Sequence, residues 1–494
     1  MSKLIKNEIK KLFSRKVIYI LLIIAIGYTI LNNTLNNISY EKLQNDYPKN
    51  ELSYLEEELK NLNYTTEEEN SMYIDTKTEY DIIKLSLNYD INSWQYNYIN
   101  RAEAEEIHSN LRKINENTYG LNKDEQELKR AQEQYNSILE KLNNDDWKPF
   151  IQNELDNADA EIQGYEETLK ELKDKKLIEE INSYLEVAKI NKKALEWRLN
   201  KGIPYNNSFL SNKIDDYVTA NQNINSLKDK ENKTSEEQQV YDDALRTANT
   251  CEYYIENNIN IKNEYDARYT LMHLNRYTLM HLNESYGIFI IVFGIIIAGT
   301  IISNEFQKGT IKLLLTRPYS RNKVLLSKYI VSMLCIIMFI IVFVIAQYIV
   351  GGMVFGFDTF NISAVEYDLS TNNIVVMSVL KYSIYTILGV LPIYILISTL
   401  AFALGTITMN SGVSIAIPIL GYSVSSIINY YIQKINWLKY FVTANWNLSV
   451  YQFGGKGIAD GLNLWISIII CFIYLLIMII TSFIVFRKRD IKNV

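Results

Sequence analysis

Cysteine and histidine are scarce in this 494-residue chain, with three of each. Cys335 and Cys471 fall inside apolar blocks and Cys251 stands alone in a polar segment, so no disulfide framework is expected without a partner chain. His108 is isolated, and His273 and His281 are eight residues apart, which is not metal-ligand spacing. No metal site is expected. A phosphate-binding G-x-x-x-x-G-K-[ST] loop is also missing; Gly454-Gly455-Lys456-Gly457 does not fit it. There is no zinc pattern and no Ser/His/Asp constellation. These absences give no reason to expect catalysis by this chain or a cofactor of its own; no nucleic-acid partner is expected.

Charge is missing from long stretches too. The averages look soluble, with 48% hydrophobic residues and a mean hydropathy of -0.08. The apolar residues nevertheless pile up in 17–31, 286–302, 329–357, 382–431 and 464–486. A helix needs roughly 20 mainly apolar residues to cross ~30 Å of hydrocarbon. The block 382–431 is long enough for two spans with a tight turn near 405–412. The reading is an all-α integral membrane protein with six spans: 17–36, 285–303, 329–353, 376–404, 411–432 and 462–486. The first is read as retained, because no small-x-small cleavage site follows it.

Short cytoplasmic loops carry excess Lys and Arg. Three segments do so here: 1–16, 304–328 and 487–494. With six spans and the N-terminus inside, all three share the cytoplasmic side. Residues 37–284 then lie outside, in a multi-pass protein of the plasma membrane. They hold 49 of the 56 acidic and 30 of the 50 basic residues, a net charge of -19. A mildly acidic chain thus divides into a basic inner face and an acidic outer segment. Outer loops are expected at 354–375 and 433–461. Trp437, Trp446 and Trp465 near the second of these are expected to form an aromatic belt at the headgroup level.

The outer segment is patterned. Leu52, Leu55, Leu59 and Leu62 recur at spacings of three and four, as do Leu128, Ala131, Tyr135, Ile138 and Leu142. So do Leu155, Ala158, Ile162, Tyr165, Leu169 and Leu172. The series Ile178, Ile181, Leu185, Ala188, Leu195 and Leu199 carries Lys192 at its missing seam position. Such stripes bury against another helix, so 37–284 is read as an extracellular helical or coiled-coil domain. A bend is expected at 173–176, and a helix end at Gly202 before Pro204. The octapeptide RYTLMHLN occurs twice in tandem, at 268–275 and 276–283. It is read as a slip duplication.

The stretch 303–328 reads SNEFQKGTIKLLLTRPYSRNKVLLSK. Ile311 and three leucines sit in an otherwise basic loop, which a mere connection does not need and a docking surface does. This stretch resembles the cytoplasmic loop of ABC-2 type transporter permeases: an acidic residue (Glu305), Gly309-Thr310, apolar residues including Leu314, then Arg317-Pro318, Ser320-Arg321 and Lys328. The N-terminus, MSKLIKNEIKKLFSRK, resembles that family's interfacial helix, with Leu4, Ile5, Ile9, Leu12 and Phe13 on one face and lysines opposite. The resemblance covers about half the chain; the large outer segment departs from it.

The resemblance implies a permease subunit of an exporter. It would pair with a second permease chain, identical or different, and with separate ABC ATP-binding subunits that hold ATP and Mg. Glu305, Gly309, Thr310, Leu314, Arg317, Pro318 and Arg321 would lie in the ATPase-coupling loop. Amphipathic peptides such as antimicrobial peptides, drugs and lipid-like compounds are all compatible substrates. The alternative is a cell-surface scaffold or receptor, built on similar spans, that acts in secretion or phage adsorption without an ATPase.

Overall fold

The computed structural model describes residues 1–62, 66–91, 93–101, 104–121, 124–260, 275–311, 319–432, 435–459 and 461–489. It is 82% helical with almost no sheet, and six helices are long and apolar enough to cross a membrane. The protein is an all-α, multi-pass membrane protein. The chain divides into two compact units, one of Met1–Leu35 with His273–Val494 and one of Asn36–Met272.

In the first unit the spans are Lys16–Ser39, Leu282–Gln307, Arg321–Phe355, Val379–Thr408, Ser411–Ile432 and Leu464–Lys488. The second span is the most enclosed and the fifth and sixth the least. Small residues set the closest approach. A Cβ added to Gly405 of the fourth span would lie 2.7 Å from the Gly299 carbonyl oxygen of the second. Ser414 of the fifth span donates to that same carbonyl at 3.0 Å. In lipid, where apolar burial does not drive association, such close packing and inter-helix hydrogen bonds hold spans together. The fourth span ends at Met409, which takes a left-handed conformation. The fifth begins two residues later.

The third span contains a π-helical turn, Gln347–Gly351. Gln347 is fully buried and lies at the centre of a neutral polar cluster. It accepts from Asn33 at 3.0 Å and from the Tyr286 hydroxyl, and donates to Asn33 and Asn275 at 3.2 Å each. An amide inside a membrane unit is tolerated because all these partners face it. The loop after the third span departs from an all-helical pattern. Ala364–Asp368 and Asn373–Met377 pair as an antiparallel hairpin.

The second unit is a bundle of helices. Lys148–Glu171 and Lys175–Lys201 form an antiparallel pair. Asp174 begins the second of them by accepting from the Lys176 and Leu177 amides, which is ordinary N-cap chemistry. Gly202, at φ +67°, ends it. Leu185, Ala188 and Leu195 are buried along one face, and Lys192 at the seam pairs with Asp159 at 2.6 Å. That hydrogen bond holds the lysine's pKa above its usual value. Phe209–Leu227 and Ser235–Glu256 form a second antiparallel pair, with Phe209 packed edge-on against Tyr254. Ile138 and Leu142 enter a further core with Trp94, Phe150 and Tyr205, and Ala131 on the same stripe is buried. Of the tandem octapeptide, residues 268–274 lie outside the described residues.

Cys251 is 1% exposed in the second pair, and burial pushes its thiol up to about 12. A free thiol titrates near 8.5, so this group's contribution to folding is present below that pH and is lost as pH rises towards 12. In a Cys335→Ala/Cys471→Ala background, maleimide at pH 8 should label Cys251 slowly. Phe209→Ala, a truncation that costs about 3–5 kcal/mol, should speed that labelling at least tenfold. Equal rates would show that the Phe209–Tyr254 contact does not hold this pair closed.

Candidate functional site

The first helix, Ser2–Phe13, places Leu4, Glu8 and Leu12 on one line, because residues four apart share a face. All three are buried, and Ile5, Ile9 and Phe13 pack beside them against the core of the spans. The apolar face expected at a membrane surface is therefore seated largely on protein. Glu8 in the middle of that line requires a buried cation.

Lys328 supplies it. Its Nζ donates to Glu8 Oε2 at 2.7 Å and to Glu305 Oε1 at 2.8 Å, and Lys11 also pairs with Glu305. Lys328 is fully buried and Glu305 is 2% exposed. Two carboxylates and two ammonium groups make the cluster neutral, which is the condition for keeping charge away from water. It ties together the first helix, the end of the second span and the start of the third. Sequence reasoning placed Glu305 in a contact with a partner. In the structure its carboxylate points inward to Lys328, so it acts on any partner only through the elements it joins. Glu8 and Lys328 were missed as a pair. The available signal was an acid on the apolar face of a basic helix.

Gly309 and Thr310 end the second span. Gly309 has φ +67°, a conformation that glycine adopts without strain, and its amide reaches the Phe306 carbonyl at 3.0 Å. The Thr310 hydroxyl turns back to the Glu305 carbonyl at 3.4 Å. Ile311 is fully buried. Leu314, Arg317 and Pro318 lie outside the described residues. Ser320 precedes the third-span helix as its N-cap.

Arg321 is not directed at a vacant surface. It donates to the Arg487 and Arg489 carbonyls at 3.2 and 2.9 Å, and Arg489 donates to the Thr406 and Ile407 carbonyls at 2.8 and 2.7 Å. Helix C-termini leave carbonyls unpaired and carry partial negative charge. The two arginines thus close the ends of the fourth and sixth spans from one side.

The three tryptophans differ. Trp437 and Trp465 are 69% and 73% exposed. Trp446 is 8% exposed, lies in the core of the spans and packs near Tyr422, so it is a packing residue and leaves the belt. Its neighbour Asn445, fully buried, accepts from Ser467 at 2.8 Å and pins this loop to the sixth span. Among the described residues no group of His, Cys, Asp or Glu has the arrangement to hold a metal ion.

Residues 248–492 match the profile of a family described as "Protein of unknown function (DUF2705)". The chain is 30% identical over 206 residues to the uncharacterized protein YhcI of Bacillus subtilis (strain 168), covering 41% of this chain and 64% of that protein. It thus spans less than two thirds of that relative's length. It is 26% identical over 204 residues to the uncharacterized membrane protein YdbK of the same organism, covering 40% of this chain and 76% of the relative. No solved structure matches.

The four-charge cluster gives a direct test. Lys328→Met leaves two buried carboxylates without their main cation and should cost about 3–5 kcal/mol. It should lower the thermal midpoint in detergent and free the first helix for proteolysis. Glu8→Gln/Glu305→Gln/Lys328→Met should regain most of that loss. A triple variant no better than the single one would count against charge balance as the organising term.

Proposed function

We propose that this chain is the membrane-spanning subunit of an exporter of ABC-2 permease type. A separate ATP-binding subunit hydrolyses ATP with Mg, and a second permease chain completes the pathway. The N- and C-termini and the 304–328 loop face the cytoplasm of a cell membrane, and residues 37–284 face outward. The transported molecule is an antimicrobial peptide, a drug or a lipid-like compound.

The observation that carries this reading is the ion cluster at the base of the second and third spans. A loop that receives force from a soluble partner has to pass it to the spans without local give. Lys328 links that loop's flanks to each other and to the first helix through two buried charge-assisted hydrogen bonds. Gly309 and Thr310 fix where the second span stops. Displacement of the segment between them is then transmitted to the second span, the most enclosed of the six. The basic segments 1–16, 304–328 and 487–494 support the proposed orientation.

Co-expression with a candidate ATP-binding subunit tests the proposal. The two should copurify, and the complex should hydrolyse ATP. Pro318→Ala and Leu314→Asp, in the segment that would touch the partner, should weaken association or lower turnover at least fivefold while the permease remains folded. Failure of every ATP-binding subunit to associate would overturn the reading. Impermeant maleimide added to whole cells should label Glu161→Cys and not Lys308→Cys; the reverse pattern would invert the proposed orientation.

A further inference from the structure

The helical unit contains a cleft of about 620 Å3, within the size range of small-ligand sites. Tyr205 lies in its wall, with the Arg198 and Arg101 guanidinium carbons 4.0 and 4.3 Å from the ring centre. Arg198 is 1% exposed and fully engaged. It donates to the Pro204 carbonyl at 3.2 Å, to Ser211 Oγ at 3.0 Å and to Asp215 at 2.8 Å. Arg101 donates to the same aspartate at 3.1 Å, and the Tyr205 hydroxyl donates to Glu154. This rigid arrangement holds the cleft open between four helices.

Both cations that line the cleft are therefore committed to Asp215 and to the Tyr205 face. The lining also carries Glu105 and Glu161, both exposed, and no further lysine or arginine. Four carboxylates against two guanidinium groups leave the cleft at -2. An anion entering it would meet the negative charge of Glu105 and Glu161; the latter accepts from the Tyr165 hydroxyl at 2.8 Å, a neutral donor that leaves its charge in place. A cation would meet Glu105 and Glu161, and an apolar stem behind it would meet Ala158, Ala194 and Val218. The surrounding acidic charge would raise the local concentration of a cationic ligand.

We infer that this cleft binds a cationic amphipathic molecule, with the amine or guanidine of a basic peptide side chain at Glu105 and Glu161 and its stem on the apolar wall. Binding here does not depend on ATP-driven transport. It is measured on the permease chain alone, so it can fail or succeed independently of the exporter reading.

The test uses the full-length protein in phosphatidylcholine nanodiscs, with a fluorescent lysine–leucine peptide as probe and empty nanodiscs subtracted. Wild type should bind it saturably, and a glutamine–leucine version at least tenfold more weakly. Glu105→Gln/Glu161→Gln should weaken binding about tenfold, within the range measured for close charge pairs. Thr219→Trp, which fills the cleft from an exposed position, should do the same. Glu133→Gln/Glu140→Gln, an equal charge change on an exposed helix face away from the cleft, should shift affinity less than twofold. Any of four outcomes overturns the inference: no saturable binding, equal binding of the two peptides, equal weakening by both double variants, or wild-type affinity in Thr219→Trp.

Discussion

A buried ammonium group needs carboxylates within reach, and Lys328 has two. Its partners come from different parts of the chain, Glu305 nearby at the end of the second span and Glu8 some 320 residues away in the first helix. Charge removed from water is costly to leave alone, so these three residues fix one another's positions. Much of the base of the membrane unit follows from that constraint. The first helix has to lie with Leu4 and Leu12 inward, because Glu8 between them must meet the lysine. The second span has to stop soon after Glu305, which Gly309 and Thr310 arrange.

The spans were legible because the bilayer imposes a length and an apolar composition that nothing else in the chain shares. The helical unit was legible from its stripes: Ala131, Ile138 and Leu142 are buried where a spacing of three and four puts them. Even the lysine at the missing seam position has its carboxylate opposite. The hairpin at Ala364–Asp368 and Asn373–Met377 was not legible. It is short, and its side chains sit beside spans that dominate any hydropathy average.

The candidate site was legible only as a motif. Glu305, Gly309, Thr310 and Arg321 were singled out, but their physical work depends on partners far away in sequence. Composition weighs Lys328 and Arg321 as two positive charges on one side of a membrane. Structure separates them: one is buried in an ion cluster, and the other binds carbonyls at the end of the sixth span. Trp446 shows the same limit, since an aromatic near a span end can face lipid or the core, and only its packing neighbours decide. Asn445 and Gln347 are further cases: the burial of the first is explained by the Ser467 hydroxyl and two backbone carbonyls, that of the second by Asn33, Asn275 and the Tyr286 hydroxyl, and hydropathy announces none of these partners.

The tandem octapeptide has an outcome of its own. Each copy ends in an asparagine. Asn275 holds Gln347 at 3.2 Å, and Asn283 accepts from the Tyr394 hydroxyl at 2.7 Å. Loss of one copy through replication slippage would keep the reading frame and the hydropathy profile. It would leave Asn283 where it is and set Ala267 in the place of Asn275. The π turn would then lose one amide partner inside the membrane unit. A change invisible to composition would fall on a residue the third span is built around.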